Sequence, residues 1–160
     1  RSTLFPYTTL FRSWGRIHEI FGKTQLMLDR EHNSYEETSN GIIIRKGTVR
    51  LEEGDLSVIP SNMDGDMVLV KAKKQINNVL NSCSHGTGRT ISRSEAKEFA
   101  KTYDYEALRK RIYIPEKISN ESIKTEAPFC YRNLDECISL ISNFVEEVER
   151  FVPIAYIGQI

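Results

Sequence analysis

The sequence predicts an α+β chain with a β-rich first half, two longer helices and a terminal strand. Three observations carry that reading. Short apolar runs separated by Gly, Asn and Asp fill the first half, two stretches of helical periodicity follow capping residues, and a last apolar run lies close to the end. At 160 residues the chain is long enough for one domain or a large piece of one.

The strand expectations fall on residues 24–28, 42–44, 56–59 and 67–70, each bounded by turn-forming residues. The first helix is placed near Arg93, because Ser92 and Glu95 form an S-x-x-E capping box. Ala96, Phe99, Ala100 and Tyr103 follow at helical spacing, which extends the helix over 94–108. Asn133 with Glu136 caps the second helix. Its apolar stripe runs from Leu134 through Cys137, Ile138, Ile141, Phe144 and Val145 to Val148. Residues 115–125 read as a polar connection and 152–157 as the final strand.

Charge and cysteine usage narrow the setting. Twenty-two basic side chains balance 22 acidic ones, so net charge gives no signal for nucleic acid. The distribution is uneven: residues 85–111 hold seven Lys/Arg against four Asp/Glu, and residues 112–160 hold four against eight. That basic stretch is either a phosphate-holding face or a solvated helix, and charge alone does not separate the two. Cys83, Cys130 and Cys137 form no C-x-x-C pattern, their number is odd, and there is no signal peptide or long apolar run. A reducing cytoplasm and no membrane partner fit these features. Cys83 reads as a small buried hydrophobe.

Chemistry is concentrated in residues 82–97, SCSHGTGRTISRSEAK. His85 stands before a Gly-Thr-Gly-Arg loop whose glycines can bring backbone N–H groups close to a phosphate. The helix start beyond it also favours anions. An imidazole placed there can attack phosphorus and become a phosphoramidate, with Arg89 neutralising charge on the transferring group. On spacing alone a turn histidine is the commoner explanation, and neither G-x-x-x-x-G-K-[ST] nor G-x-G-x-x-G is present. His32 and Asn33 likewise read as turn residues after a strand, or as groups that hold a metal and orient a phosphate. Glu36 and Glu37 read as solvent-facing charges more readily than as ligands.

Companion segments decide between these readings. SHGTGRTISRSEAK resembles the active-site segment of the RtcB-type RNA ligases. Four further segments agree with that family in order: HNSYEE at 32–37, IRKGT at 44–48, VIPSNM at 58–63 and EAPFCYRNLDECI at 126–138. The resemblance runs from residue 26 to the end and implies the C-terminal part of the RtcB-type fold.

The resemblance implies a GTP- and Mn²⁺-dependent ligase that joins RNA 3′-phosphate or 2′,3′-cyclic phosphate ends to 5′-hydroxyl ends through a GMP–histidine intermediate. It also leaves room for an activating protein. His85 is then the nucleophile, in its neutral form, so labelling should weaken in acid. Asn33, Pro60, Ser61, Asn62, Met63, Gly86, Thr87, Gly88 and Arg89 would line the guanylate site with His85, and Tyr131 would stack on or bond to the base. His32 is the one metal ligand of the family that this sequence retains. A mixed imidazole, thiolate and carboxylate set suits manganese.

Several positions depart from the family pattern. Ser61 and Asn62 replace the Gly-Ser of its IPGSM motif, Ile44 replaces the histidine of HRKGA, Met67 replaces a serine, and Gly158 stands where a lysine reaches the guanylate. The alternative that these departures raise is a degenerate, non-catalytic RNA- or nucleotide-binding relative using Arg89, Arg93 and Lys97. Residues 3–13, TLFPYTTLFRS, match the translation of a widely used sequencing adaptor. Residues 1–13 are therefore expected to be an artefact and 14–160 a C-terminal fragment of an RtcB-type catalytic domain, inactive alone.

Overall fold

The computed structural model describes residues 27–156 together with Glu19, Gly22 and Gln25. It is an α+β fold in which three small antiparallel sheets precede or flank short helices. β1 (Asn33–Thr38) and β2 (Gly41–Lys46) form a hairpin. β3 (Thr48–Arg50) pairs with β6 (Ser82–Ser84), and β4 (Leu56–Pro60), β5 (Met67–Ala72) and β7 (Val145–Phe151) form a three-stranded sheet in that order. The helices are α1 (Arg93–Phe99), α2 (Tyr105–Arg111), α3 (Asn120–Ile123) and α4 (Leu134–Ile141). No helix among the described residues is long and apolar enough to cross a membrane.

Alternation explains the main sheet. Ser57 and Ile59 on β4, and Val68, Val70 and Ala72 on β5, point inward while their neighbours face outward. They meet Val49, Leu51, Ile76, Cys83, Leu134 and Val145 in one core. A second core gathers Met63, Leu108, Ile112, Ile114, Ile118 and Ile123 among the helices. Each fully buried Val, Leu, Ile or Met side chain among them contributes about 1.5–3 kcal/mol. Met63 and the ion pair of Arg111 with Asp64, at 2.6 Å, tie the loop after β4 to the helical half.

Five expectations change. The helix expected over 94–108 is broken into α1 and α2: the Thr102 hydroxyl donates to the Phe99 carbonyl, and the Asp104 carboxylate accepts from Ala107 N at 2.9 Å, starting a new helix. The second helix stops at Ile141, and 145–151 becomes β7. The apolar residues at 144, 145 and 148 satisfy a helical period, yet Val145 pairs with Ala72 and Lys73 N donates to the Phe144 carbonyl, so sheet pairing overrides local periodicity. The expected terminal strand is reduced to a single parallel bridge between Tyr113 and Ala155, with residue 157 outside the described residues. The polar connection at 115–125 contains α3 and two core residues, Ile118 and Ile123. Residues 25, 27 and 28 are irregular rather than strand, and the rest of 24–28 lies outside the described residues, as do 1–13 and Gly158.

Glu36 also departs from a solvent-facing reading. It accepts from Arg45 Nη1 at 2.9 Å and Arg50 Nε at 3.2 Å, and these guanidiniums hold its carboxyl below the usual range. Arg45 is almost fully buried, and its other donors reach the Ser82 hydroxyl and the Leu80 carbonyl. A buried charge of this kind requires such complete pairing.

Candidate active site

His85 follows the last residue of β6, and seven residues, 86–92, separate it from α1. It therefore does not sit at the helix start. The capping box expected at Ser92 and Glu95 is formed, but it serves α1 itself. His85 is instead placed by the β2–β3 corner. Its backbone N–H points at the Gly47 carbonyl, 3.4 Å away, and its ring lies over Gly47, where an added Cβ would come within 3.2 Å of His85 Cε1. Gly47 has φ +65, a left-handed conformation that penalises any L side chain. Both backbone and space require glycine here.

The same corner collects the HNS and RKG segments. β1 begins at Asn33, so His32 precedes a strand instead of following one. Its carbonyl accepts from Thr48 N at 3.0 Å, and its ring stacks on His85 with centroids 4.9 Å apart and planes 3° from parallel. The Asn33 side-chain oxygen accepts from Gly47 N at 3.1 Å. Asn33 thus props the residue beneath His85.

Beyond His85 the chain is clamped between two other loops. Thr87 N donates to the Pro60 carbonyl at 3.2 Å, the buried Thr87 hydroxyl points at the Ser61 carbonyl, and Gly86 passes so close that a Cβ would meet Pro60 O at 3.2 Å. On the other side Arg132 N donates to the Gly88 carbonyl and Thr90 N to the Cys130 carbonyl. Gly88 takes φ +73 with open space around it, as a backbone-presenting loop needs. Ser61 donates to the Asp66 carbonyl at 2.7 Å, and Asn62 accepts from Asp64 N and Gly65 N. Among the described residues only Leu80 and Asn81 are non-glycine residues at positive φ, so the Ser61–Asn62 replacement is accommodated without left-handed backbone.

These loops enclose a cavity of about 560 Å³. Pro60, Ser61, Asn62 and Met63 form one side, His85, Gly86, Thr87, Gly88 and Arg89 the floor, and Tyr131 a further wall. Ten of the twelve residues singled out from the sequence are brought together in this way. His32 stands beside His85 outside the lining, and Asn33 lies behind Gly47. Met67, Glu126, Pro153, Ala155 and Tyr156 complete the walls, and no spacing signal marked them as a site. Glu126 opens the EAP stretch, which was the available clue.

Arg89 donates to the carbonyls of Thr125 at 2.5 Å and Ile91 at 3.2 Å, and among the described residues its buried Nη2 has no partner. A guanidinium in a cavity lining suits an anion. Arg89 Cζ lies 5.2 Å from the centre of the Tyr131 ring, and the Tyr131 hydroxyl donates to Glu126. Burial, then the Glu126 carboxylate, pushes the Tyr131 phenol up to about 12. Burial likewise pushes the Cys83 thiol up to about 11, which agrees with a core rather than a reactive role.

The cavity has the size and mixed lining of a small-molecule site, and its glycine loop and guanidinium fit a nucleotide phosphate. The residues do not by themselves fit manganese. Among the described residues no three His, Cys, Asp or Glu side chains converge as a metal site.

A family model described as tRNA-splicing ligase RtcB matches residues 9–159. The chain belongs to the RtcB family of RNA ligases. Two curated members are similar to it: RNA-splicing ligase RtcB1 of Escherichia coli strain ATCC 25922 and RNA-splicing ligase RtcB of Escherichia coli strain K12. Each is 29% identical over 106 residues, which cover 66% of this chain and 25% of the relative. The chain therefore spans about a quarter of the length of the RtcB relatives it matches.

Proposed function

We propose that the protein carrying this chain joins RNA 3′-phosphate or 2′,3′-cyclic phosphate ends to 5′-hydroxyl ends, with His85 as the nucleophile that accepts GMP from GTP. The observation that carries the reading is the place of His85 in the lining of the cavity built by Pro60 to Met63, Gly86 to Arg89 and Tyr131. The neutral imidazole forms an N–P bond to the α-phosphorus of GTP, and pyrophosphate leaves with the electron pair of the broken P–O bond. An RNA 3′-phosphate oxygen then takes the GMP from His85, and a 5′-hydroxyl displaces GMP to close the phosphodiester. A cyclic phosphate is first opened by water to the 3′-phosphate.

In this reading the Arg89 guanidinium offsets developing negative charge and the Gly86–Gly88 backbone approaches the phosphates. Tyr131 offers its ring to the base. The manganese requirement rests on the family resemblance, with His32 as its one candidate ligand among the described residues. Residues 14–160 alone are expected not to seal RNA. The proposed setting is a reducing cytoplasm.

Incubating the full-length protein with radiolabelled GTP and Mn²⁺ should label it, and His85→Ala should abolish the label. Persistence of label in that variant would sink the assignment. A second reading, a non-catalytic relative that binds RNA or nucleotide, draws on Met67, whose side chain stands in the cavity wall. RNA binding without labelling of the full-length wild type would favour it.

A further inference from the structure

We propose that Glu126 is a positioning residue of the nucleotide cavity, anchoring the Tyr131 ring against the Arg89 guanidinium as one wall. The inference rests on the proposed use of that cavity by GTP. Glu126 stands on the boundary between the His85 cavity and a neighbouring hollow lined by Arg93, Ile118, Ser122, Ile123, Thr125 and Tyr156. Its two oxygens are divided between partners. Oε2 accepts the Tyr131 hydroxyl and lies 3.7 Å from Arg89 Nη1, while Oε1 lies 3.5 Å from Arg93 Nη2.

The Tyr131 ring is thus held at its hydroxyl by a charged acceptor and on its face by Arg89, 5.2 Å from the ring centre. Arg89 has independent support from the carbonyls of Thr125 and Ile91. Removing Glu126 therefore releases the ring far more than the guanidinium. A ring already oriented spares an incoming base the cost of ordering it, an effect on binding and not on bond formation at His85. Glutamine at 126 keeps an acceptor for the hydroxyl while deleting the charge.

Guanylylation of the full-length protein, measured against GTP concentration, tests this. Glu126→Ala should raise the apparent KM for GTP about tenfold while the labelling rate at saturation stays within about threefold. Glu126→Gln should return KM to within about threefold of wild type, a rescue that a purely structural defect would not show. A wild-type KM in Glu126→Ala, with wild-type protein labelling normally, would overturn the positioning role and leave the ligase reading intact. If wild-type protein takes no label, the ligase reading falls, and a ¹⁹F spectrum of 3-fluorotyrosine protein decides the positioning separately. The resonance assigned by its loss in Tyr131→Phe should shift in Glu126→Ala; an unmoved resonance would overturn the inference.

Discussion

Around His85 the cavity wall is mainly backbone packed on backbone, whereas around Tyr131 a backbone bridge to Arg89 is joined by charged side chains about one ring. On the His85 side, the Gly47 corner, the Pro60 and Ser61 carbonyls and the Gly86–Gly88 run interlock through main-chain contacts. On the Tyr131 side, Glu126, Arg89 and Arg93 share a few hydrogen bonds and ion pairs. The His85 side should therefore tolerate little change, while the other wall should respond by degrees. At Gly47 and Gly86 an added Cβ would stand 3.2 Å from its nearest neighbour, so either substitution needs that neighbour to shift; side-chain networks can be weakened one partner at a time.

The largest effect should come from Gly47→Ala. A left-handed alanine costs about 1–2 kcal/mol, and its Cβ would also press on the His85 ring. Urea denaturation should show that loss, together with failure of GTP labelling. Wild-type stability and labelling would mean that the corner is not the rigid support described. A smaller effect is expected at Asp104, the residue that separates α1 from α2. Asp104→Ala should cost about 1 kcal/mol through loss of the cap. An unchanged or raised urea midpoint would mean that 94–108 can form the continuous helix its periodicity suggests.

The gentlest test is by pH. The Tyr131 phenol is held up to about 12, above its ordinary value of about 10, so the folded chain keeps its proton where the unfolded chain loses it. Its contribution to stability is complete below pH of about 10 and is lost as pH rises toward about 12. Tyr131→Phe should therefore flatten the alkaline fall in stability across that window. A fall of equal steepness in the variant would place the titrating group elsewhere.

The contrast between the two walls also explains what the sequence made legible. Gly47 and Gly88 stand at positive φ and Gly86 passes close to the Pro60 carbonyl, so the motifs that contain them could be read directly and lie together in space. Glu126 and Tyr156 reach the cavity because the second core packs the helical half against the β4–β5 loop, while Met67 is brought beside Pro60 by the β4–β5 pairing. No local spacing encodes that packing. The α+β class, the capping box at Ser92 and the cap at Asn133 were visible for the same local reason. The break at Asp104 and the conversion of 145–151 to strand were not, since Thr102, Asp104 and the pairing of Val145 with Ala72 compete with an apolar period that reads as helix.

His32 and His85 lie ring on ring, 4.9 Å apart, so loss of labelling in a single variant leaves open which imidazole carried the phosphorus. Mass-spectrometric mapping of the GMP adduct on full-length protein, treated with GTP and Mn²⁺ and digested at neutral or alkaline pH to preserve a phosphoramidate, separates them. The account predicts the adduct on the peptide containing His85 and on no peptide containing His32. An adduct on His32, or on a lysine, would contradict it.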